Sequence, residues 1–254
     1  MFSLAREFWL AWRSRRLLYY IINLVVNALW VIVLLLAIAW YGGEAAVAAR
    51  FIFWGFVVLA IFSQLTWGAA GFNNYIKSGV ADYLIASPAD FHKYLITTSL
   101  VSAALALPAV AAQIALYYIL FGDLPPLAQP LYFIIALFIF ITSATCITTA
   151  ATLFFTRWRN PGLAANILQW TIPLSGGMIP PTAMPPEVAH WLLYSPLHYV
   201  IAPLIYSATG SWLGDPVKTL GLGVVITACL YAFSLYIARG ALRRVRATGK
   251  WGSE

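Results

Sequence analysis

The sequence predicts an all-α integral membrane protein with six transmembrane helices, an N-terminal amphipathic interfacial helix, and an external re-entrant helical hairpin between helices 5 and 6. Three observations predict it. Of the 254 residues, 62% are hydrophobic and 9% charged, against about 25% charged in a typical soluble domain. A chain of this size cannot fold so much apolar surface into its own interior. The charges also cluster, leaving charge-free stretches at 17–43, 51–76, 94–122, 124–156, 160–186, 188–214 and 219–238. Each is long enough for the roughly 20 residues that a bilayer-crossing helix needs. Finally, both ends are basic, with Arg6, Arg13, Arg15 and Arg16 at one and Arg239, Arg243, Arg244, Arg246 and Lys250 at the other. Basic flanks mark the cytoplasmic side. Both termini are therefore expected in the cytoplasm, the number of crossings is even, and one stretch does not cross.

In chain order, residues 1–17 read as an interfacial helix. Phe8, Trp9 and Trp12 stand among Arg13 and Arg16, which suits rings at the headgroup level and guanidiniums toward anionic lipid. A plain topological anchor is the alternative role. The apolar run that follows exceeds the 7–15 residues of a signal-peptide core, so it is expected to stay as the first span, 18–41. The second span is 51–73 and the third 94–121. Between them lies "SGVADYLIASPADFHK", residues 78–93, too polar to span. Val80, Tyr83, Leu84 and Phe91 follow a rough helical spacing, and Ser87-Pro88 is expected to end the short helix. The fourth span is 130–155, the fifth 162–179 and the sixth 217–238.

The stretch that does not cross is 188–214. Pro196 and Pro203 interrupt it, and "GGMIPPTAMPPE" (176–187) precedes it with four further prolines. Proline inside a helix costs about 3 kcal/mol or more. Region 176–214 is therefore expected to be an external hairpin that dips into the membrane, where irregular backbone must be covered by protein or water. Gly176 and Gly177 are expected to break the fifth span. With this topology only Arg50 and Lys218, of 15 Lys and Arg, fall outside. The whole chain, 1–254, reads as one multi-pass domain of the cell (plasma or inner) membrane. The net charge of +7 is absorbed by this asymmetry, and no nucleic-acid partner is expected.

Apart from Lys218 at the outer edge of the sixth, none of the predicted spans contains Asp, Glu, Lys, Arg or His. Ion-coupled transporters bury such groups on their pathways, so a secondary transporter is the disfavoured alternative. A non-transporting membrane assembly factor is another. The uncharged polar residues Asn23, Asn27, Gln64, Gln113, Asn166 and Gln169, with Thr142, Thr145, Thr148 and Thr149, have two readings: helix–helix hydrogen bonding or lining of a route. Cys146 and Cys229 fall in different spans and suggest no disulfide or metal site. A P-loop needs G-x-x-x-x-G-K-[ST]. Gly249-Lys250 is followed by Trp251, and Arg244 occupies the first glycine's place. No cofactor or enzymatic activity is expected of this chain alone. "EAAVAARFIFWG" at 44–55 is not an importer loop, because Arg50 stands where that loop wants glycine and Glu44 falls outside.

Gly79, Asp82, Leu84, Ser87 and Pro88 match the pattern G-x-x-[DE]-x-L-x-x-[ST]-P found between spans 2 and 3 of permeases of the second ABC exporter type. "LSGGMIPPTAMPPEVAHWLLYSPLHYV" (174–200) is similar to that family's element after span 5: a glycine pair, a Pro-rich stretch, a short aromatic helix and (N/S)-P-(L/F)-x-(H/Y). The basic or amide residue that usually follows is missing from Ile201 to Ile205. This chain thus resembles the membrane subunit of a drug, lipid or polysaccharide exporter. The resemblance implies a coupling helix, with Gly79, Asp82, Tyr83, Leu84, Ser87 and Pro88 seated on an ATPase subunit and Leu84 as its anchor. It implies two copies of that ATPase, carrying ATP and Mg, and a second permease copy as homodimer or heterodimer. It further implies an amphipathic cargo (a drug, a lipid or a lipid-linked glycan) leaving the cytoplasm or inner leaflet, a route capped by Gly176, Gly177, Pro180, Pro196, His198 and Tyr199, and membrane lipid around the bundle.

Overall fold

The computed structural model describes residues 45–87, 90–158, 160–179, 186–249 and 251. The interfacial helix (Phe8, Trp9, Trp12, Arg13, Arg16), the first predicted span with Asn23 and Asn27, and Pro88 and Pro180 lie outside the described residues. Among those described, all regular structure is helical: α1 (Ala45–Lys77), α2 (Val80–Ala86), α3 (Phe91–Leu105), α4 (Leu107–Phe121), α5 (Pro130–Phe155), α6 (Pro161–Ser175), α7 (Pro186–Leu193), α8 (His198–Thr209) and α9 (Pro216–Thr248).

Four helical segments are long and apolar enough to cross a membrane: Ile52–Lys77, Phe91–Phe121, Pro130–Phe155 and Pro216–Thr248. They coincide with the second, third, fourth and sixth predicted spans. The third breaks at Ala106, whose N–H bonds Ala103 3.0 Å away in a tightened turn. Pro108, in the first turn of α4, supplies no N–H and forces that break. The fifth predicted span, 162–179, is not among the four. α6 has 15 residues, about 22 Å, short of a hydrocarbon core of about 30 Å. It ends where the glycine pair predicts. Gly177 adopts φ 84°, a left-handed geometry that glycine enters without a Cβ penalty.

Helix starts explain several prolines that carry no hairpin signal. Asn160 and Asp215 accept from the backbone of Leu163 and Val217 at 3.1 and 2.9 Å, each just ahead of a proline at the first helical position. That pairing satisfies one free donor and removes another.

The connections sort onto two ends of the bundle. At one, Trp54 Nε1 donates to the Pro126 carbonyl at 2.8 Å and Trp212 Nε1 to Gln129 Oε1 at 2.6 Å. At the other, the Asn73 side chain donates to the Phe155 carbonyl at 3.2 Å, beside α2 and the end of α9. The main core is built by Phe53, Val57, Val58, Ile61, Phe62 and Leu65 of α1 with Ile139, Phe140 and Ala144 of α5 and Val200, Ile201, Leu204 and Ile205 of α8. The outer faces are apolar too: Leu131, Ile134 and Phe138 of α5 and Leu222, Val224, Val225 and Phe233 of α9 are exposed. Uncovered apolar surface of this extent marks a chain built for lipid.

α8 lies inside the bundle, with every residue from Val200 to Ala208 buried. Its C-terminal carbonyls, Ser207 and Ala208, accept from Gln129 and Ala128, each at 2.9 Å, level with the start of α5. Its N-terminal end meets α9 at Gly223, which also faces Ile139. Ile139 is nine residues into α5, about 14 Å below its start. Pro203 was expected to break this segment, yet it sits within α8. Having no N–H, it leaves the Tyr199 carbonyl without its helical donor. That carbonyl packs against Gly223, where a Cβ would collide with it. The side chain of Ile201 fills the space beside Gly176, and the Met178 carbonyl lies against Gly55 of α1 as the Tyr199 carbonyl does against Gly223. Backbone-to-backbone approach of this kind is how helices pack where small residues allow it.

Candidate functional site

Two regions gather the sequence-predicted residues, one at each end of the bundle. The first is α2, which has seven residues. Gly79, at φ 73°, turns the chain between α1 and α2. Ser87 closes the helix in extended conformation (ψ 151°) and donates its hydroxyl to the Leu84 carbonyl at 2.8 Å. An extended residue before Pro88 is what proline's ring requires of its predecessor. Ala81 is fully buried, and Leu84 packs partly against Phe72, Phe91, Leu95 and Leu153. Tyr83, by contrast, is 80% exposed, and Val80 stands beside it in solvent. The large side chain exposed on α2 is therefore Tyr83. Leu84 is turned to the chain's own core because it lies one turn from buried Ala81, on the same face.

The polar residues after α2 serve the start of α3. Asp90 accepts from the backbone N–H groups of His92 and Lys93 at 3.0 and 3.3 Å, an N-cap worth about 1 kcal/mol. Phe91 and His92 belong to the first turn of α3 and are buried. His92 Nε2 lies 3.0 Å from Ser234 Oγ, with Tyr231 edge-on at 5.4 Å. The surface segment that the sequence suggests over 78–93 is thus confined to 78–90.

Sequence reasoning missed what holds α2 down. Trp251 Nε1 donates to Asp82 Oδ1 at 2.9 Å, and the Arg246 guanidinium reaches the Ile85 carbonyl at 3.5 Å. Trp251 is 169 positions from Asp82, so no local pattern connects them.

The second region surrounds α7 and α8. His190, Trp191 and Tyr194 form an exposed aromatic group, with Tyr194 OH 3.3 Å from His190 Nε2. Tyr199 OH donates to the Leu193 carbonyl at 3.1 Å and ties the two helices together across Pro196. His198 is 1% exposed and lies 3.4 Å from Tyr206 OH. It faces the chain's own interior beside Gly177.

The polar residues of the helices divide. Gln169 Oε1 accepts from Ser63 Oγ at 2.8 Å and Trp67 Nε1 at 2.9 Å, while its Nε2 donates to Asn166 Oδ1 at 2.5 Å. These bonds join α6 to α1 and favour the packing role. Gln113, Thr145 and Thr149 are buried with an oxygen that has no partner among the described residues, whereas Thr148 donates back to the Ala144 carbonyl. Gln64 is half-buried, and Asn166 and Thr142 are exposed. Gln169→Leu is expected to lower unfolding stability in detergent by about 1 kcal/mol, in line with interhelical bonds of about 0.6 kcal/mol each. A stability unchanged by this substitution would return Gln169 to the route-lining reading.

No protein-family model matches the chain, and no curated protein matches it.

Proposed function

We propose that this chain is the membrane-spanning subunit of an ATP-driven exporter for an amphipathic substrate, coupled through α2 to a separate ATPase subunit. The observation that carries the reading is α2 itself. A seven-residue helix is far below the 12–15 residues at which isolated helices become even marginally stable. It is nevertheless fixed to the bundle by Ala81, Leu84, Asp82 and Ile85 while it projects Tyr83. A fixed helix with a bare aromatic tip suits docking into a groove of a soluble partner. The order of residues from Gly79 to Pro88, which resembles the coupling helix of the second ABC exporter type, supports the same role. So does the lack of ionisable residues midway along the four long helices, which disfavours ion coupling.

On this reading six spans cross the membrane, the undescribed 18–41 being the first and 162–179, with α6, the fifth. The hairpin of α7 and α8 is re-entrant and caps the outer mouth between two permease copies. ATP-driven closure of two ATPase copies, each with its Mg, moves α2 and rocks the bundles. The test replaces Val80–Ala86 with a flexible linker of equal length and measures substrate-stimulated ATP hydrolysis by the copurified complex. Stimulation is expected to vanish. Undiminished stimulation would remove α2 from the mechanism.

Topology gives a separate check. In a Cys146→Ser, Cys229→Ser background, a membrane-impermeant maleimide added outside is expected to mark Tyr194→Cys and spare Tyr83→Cys. External marking of Tyr83→Cys would overturn the orientation and the coupling role together.

A further inference from the structure

We infer that Trp251 is a positioning residue: it latches α2 to the helices so that movement at α2 reaches the bundle. The inference deepens the exporter reading and rests on it for its purpose, though the latch itself rests on geometry alone. α9 ends at Gly249, which adopts φ 67° and donates its N–H to the Val245 carbonyl at 2.8 Å. The left-handed residue turns the chain away from the helix axis and returns Trp251 to the bundle.

There the indole touches α1, α2 and α3, and the Trp251 backbone reaches the end of α5. Its ring stands edge-on to Phe72 of α1, with centroids 5.7 Å apart, and tilted against Phe91 of α3 at 5.9 Å. Phe72 and Phe91 are themselves 6.3 Å apart, so the three rings form one aromatic cluster. The Trp251 carbonyl accepts from Thr156 Oγ1, just after α5, at 3.4 Å. From this seat the indole N–H bonds Asp82 at 2.9 Å. Arg246, the last basic residue of α9, adds its bond to Ile85. Among the described residues, buried Ala81, half-buried Leu84 and Ile85 and the two flanking turns also hold α2.

The arrangement has a mechanical reading. A partner pressing on Tyr83 moves a helix too short to hold its own shape. With Asp82 tied to an indole wedged between α1 and α3, the displacement passes to both. Without the indole, the same push unwinds α2.

The test uses the full chain in nanodiscs, alone and with its ATPase partner, and reads amide hydrogen exchange at Val80–Ala86. Trp251→Ala is expected to speed that exchange at least tenfold and leave α5 protected. Trp251→Phe, which keeps a ring but removes the N–H, is expected to fall between it and the unaltered chain. Asp82→Ala should match Trp251→Phe, while Asp82→Asn, whose amide oxygen still accepts, should retain protection. Exchange at Val80–Ala86 within twofold of the unaltered chain in Trp251→Ala and Trp251→Phe overturns the latch. If Trp251→Ala fails to fold, Trp251→Phe with the Asp82 pair decides the matter. Faster exchange with unchanged transport per ATP leaves the latch standing and removes it from coupling, whereas no ATP-driven transport by the unaltered complex removes the exporter reading and leaves the latch. Faster exchange with intact ATPase binding but reduced transport per ATP is the result expected when both hold.

Discussion

Tyr83→Asp is expected to release the ATPase partner while leaving the membrane bundle folded. The side chain is 80% exposed and makes none of the core contacts of its neighbour Leu84, so its loss takes little from the fold. At a docked interface it would be the only large aromatic on α2. Truncating such an anchor costs about 2 kcal/mol or more of binding, about thirtyfold in Kd. Aspartate adds a second carboxylate beside Asp82, which makes an apolar groove still less favourable. Titration of purified ATPase onto the chain in nanodiscs measures the loss, and thermal unfolding of the chain alone checks the bundle. Leu84→Asp should differ by weakening both, since it puts a charge against Phe72 and Phe91. Unchanged affinity in Tyr83→Asp would mean that α2 is a surface turn.

Gly223→Val should be among the most damaging single substitutions in the described chain. A Cβ there meets the Tyr199 carbonyl and, at 3.3 Å, Ile139. Overpacking usually costs 1–3 kcal/mol. The upper part of that range, about 3 kcal/mol, is expected here because the obstructing atom belongs to the backbone of a buried helix and has no rotamer to retreat into. Gly221→Val is the matched control: it lies two residues away, with nothing within 4 Å of its Cβ position. Unfolding midpoints of the two variants in the same detergent should separate by several degrees. Equal midpoints would mean that α8 and α9 can part without loss, and that α8 is not held in the bundle as described.

Much of this architecture is legible in the sequence because its signals are local. The charge-free runs place four long helices, and Gly79 with Ser87-Pro88 bounds α2. What escaped is long-range or depends on which side of an element faces inward. Seven residues are too few for periodicity to decide between Tyr83 and Leu84 as the outward anchor. The buried ring of Phe91 and the Asp90 cap settle that α3 begins inside the predicted loop, and both depend on contacts that a string of letters does not display. Trp251 reads as a terminal aromatic after a basic run, and its partners at 72, 82 and 91 become neighbours only once the helices are assembled. Pro203 misled for a different reason. Its cost in a helix is real, but α8 has a neighbour that accommodates the carbonyl it leaves free.

That accommodation constrains the order in which the chain can change. Proline at 203 is tolerable only opposite a residue with no side chain, so glycine at 223 has to be in place before it. The reverse route must begin at 203, since any larger residue at 223 meets the carbonyl that proline leaves outside the helical ladder. Positions 203 and 223 therefore form an ordered pair in sequence space: glycine precedes proline on the way in and outlasts it on the way out, although the two residues sit on different helices.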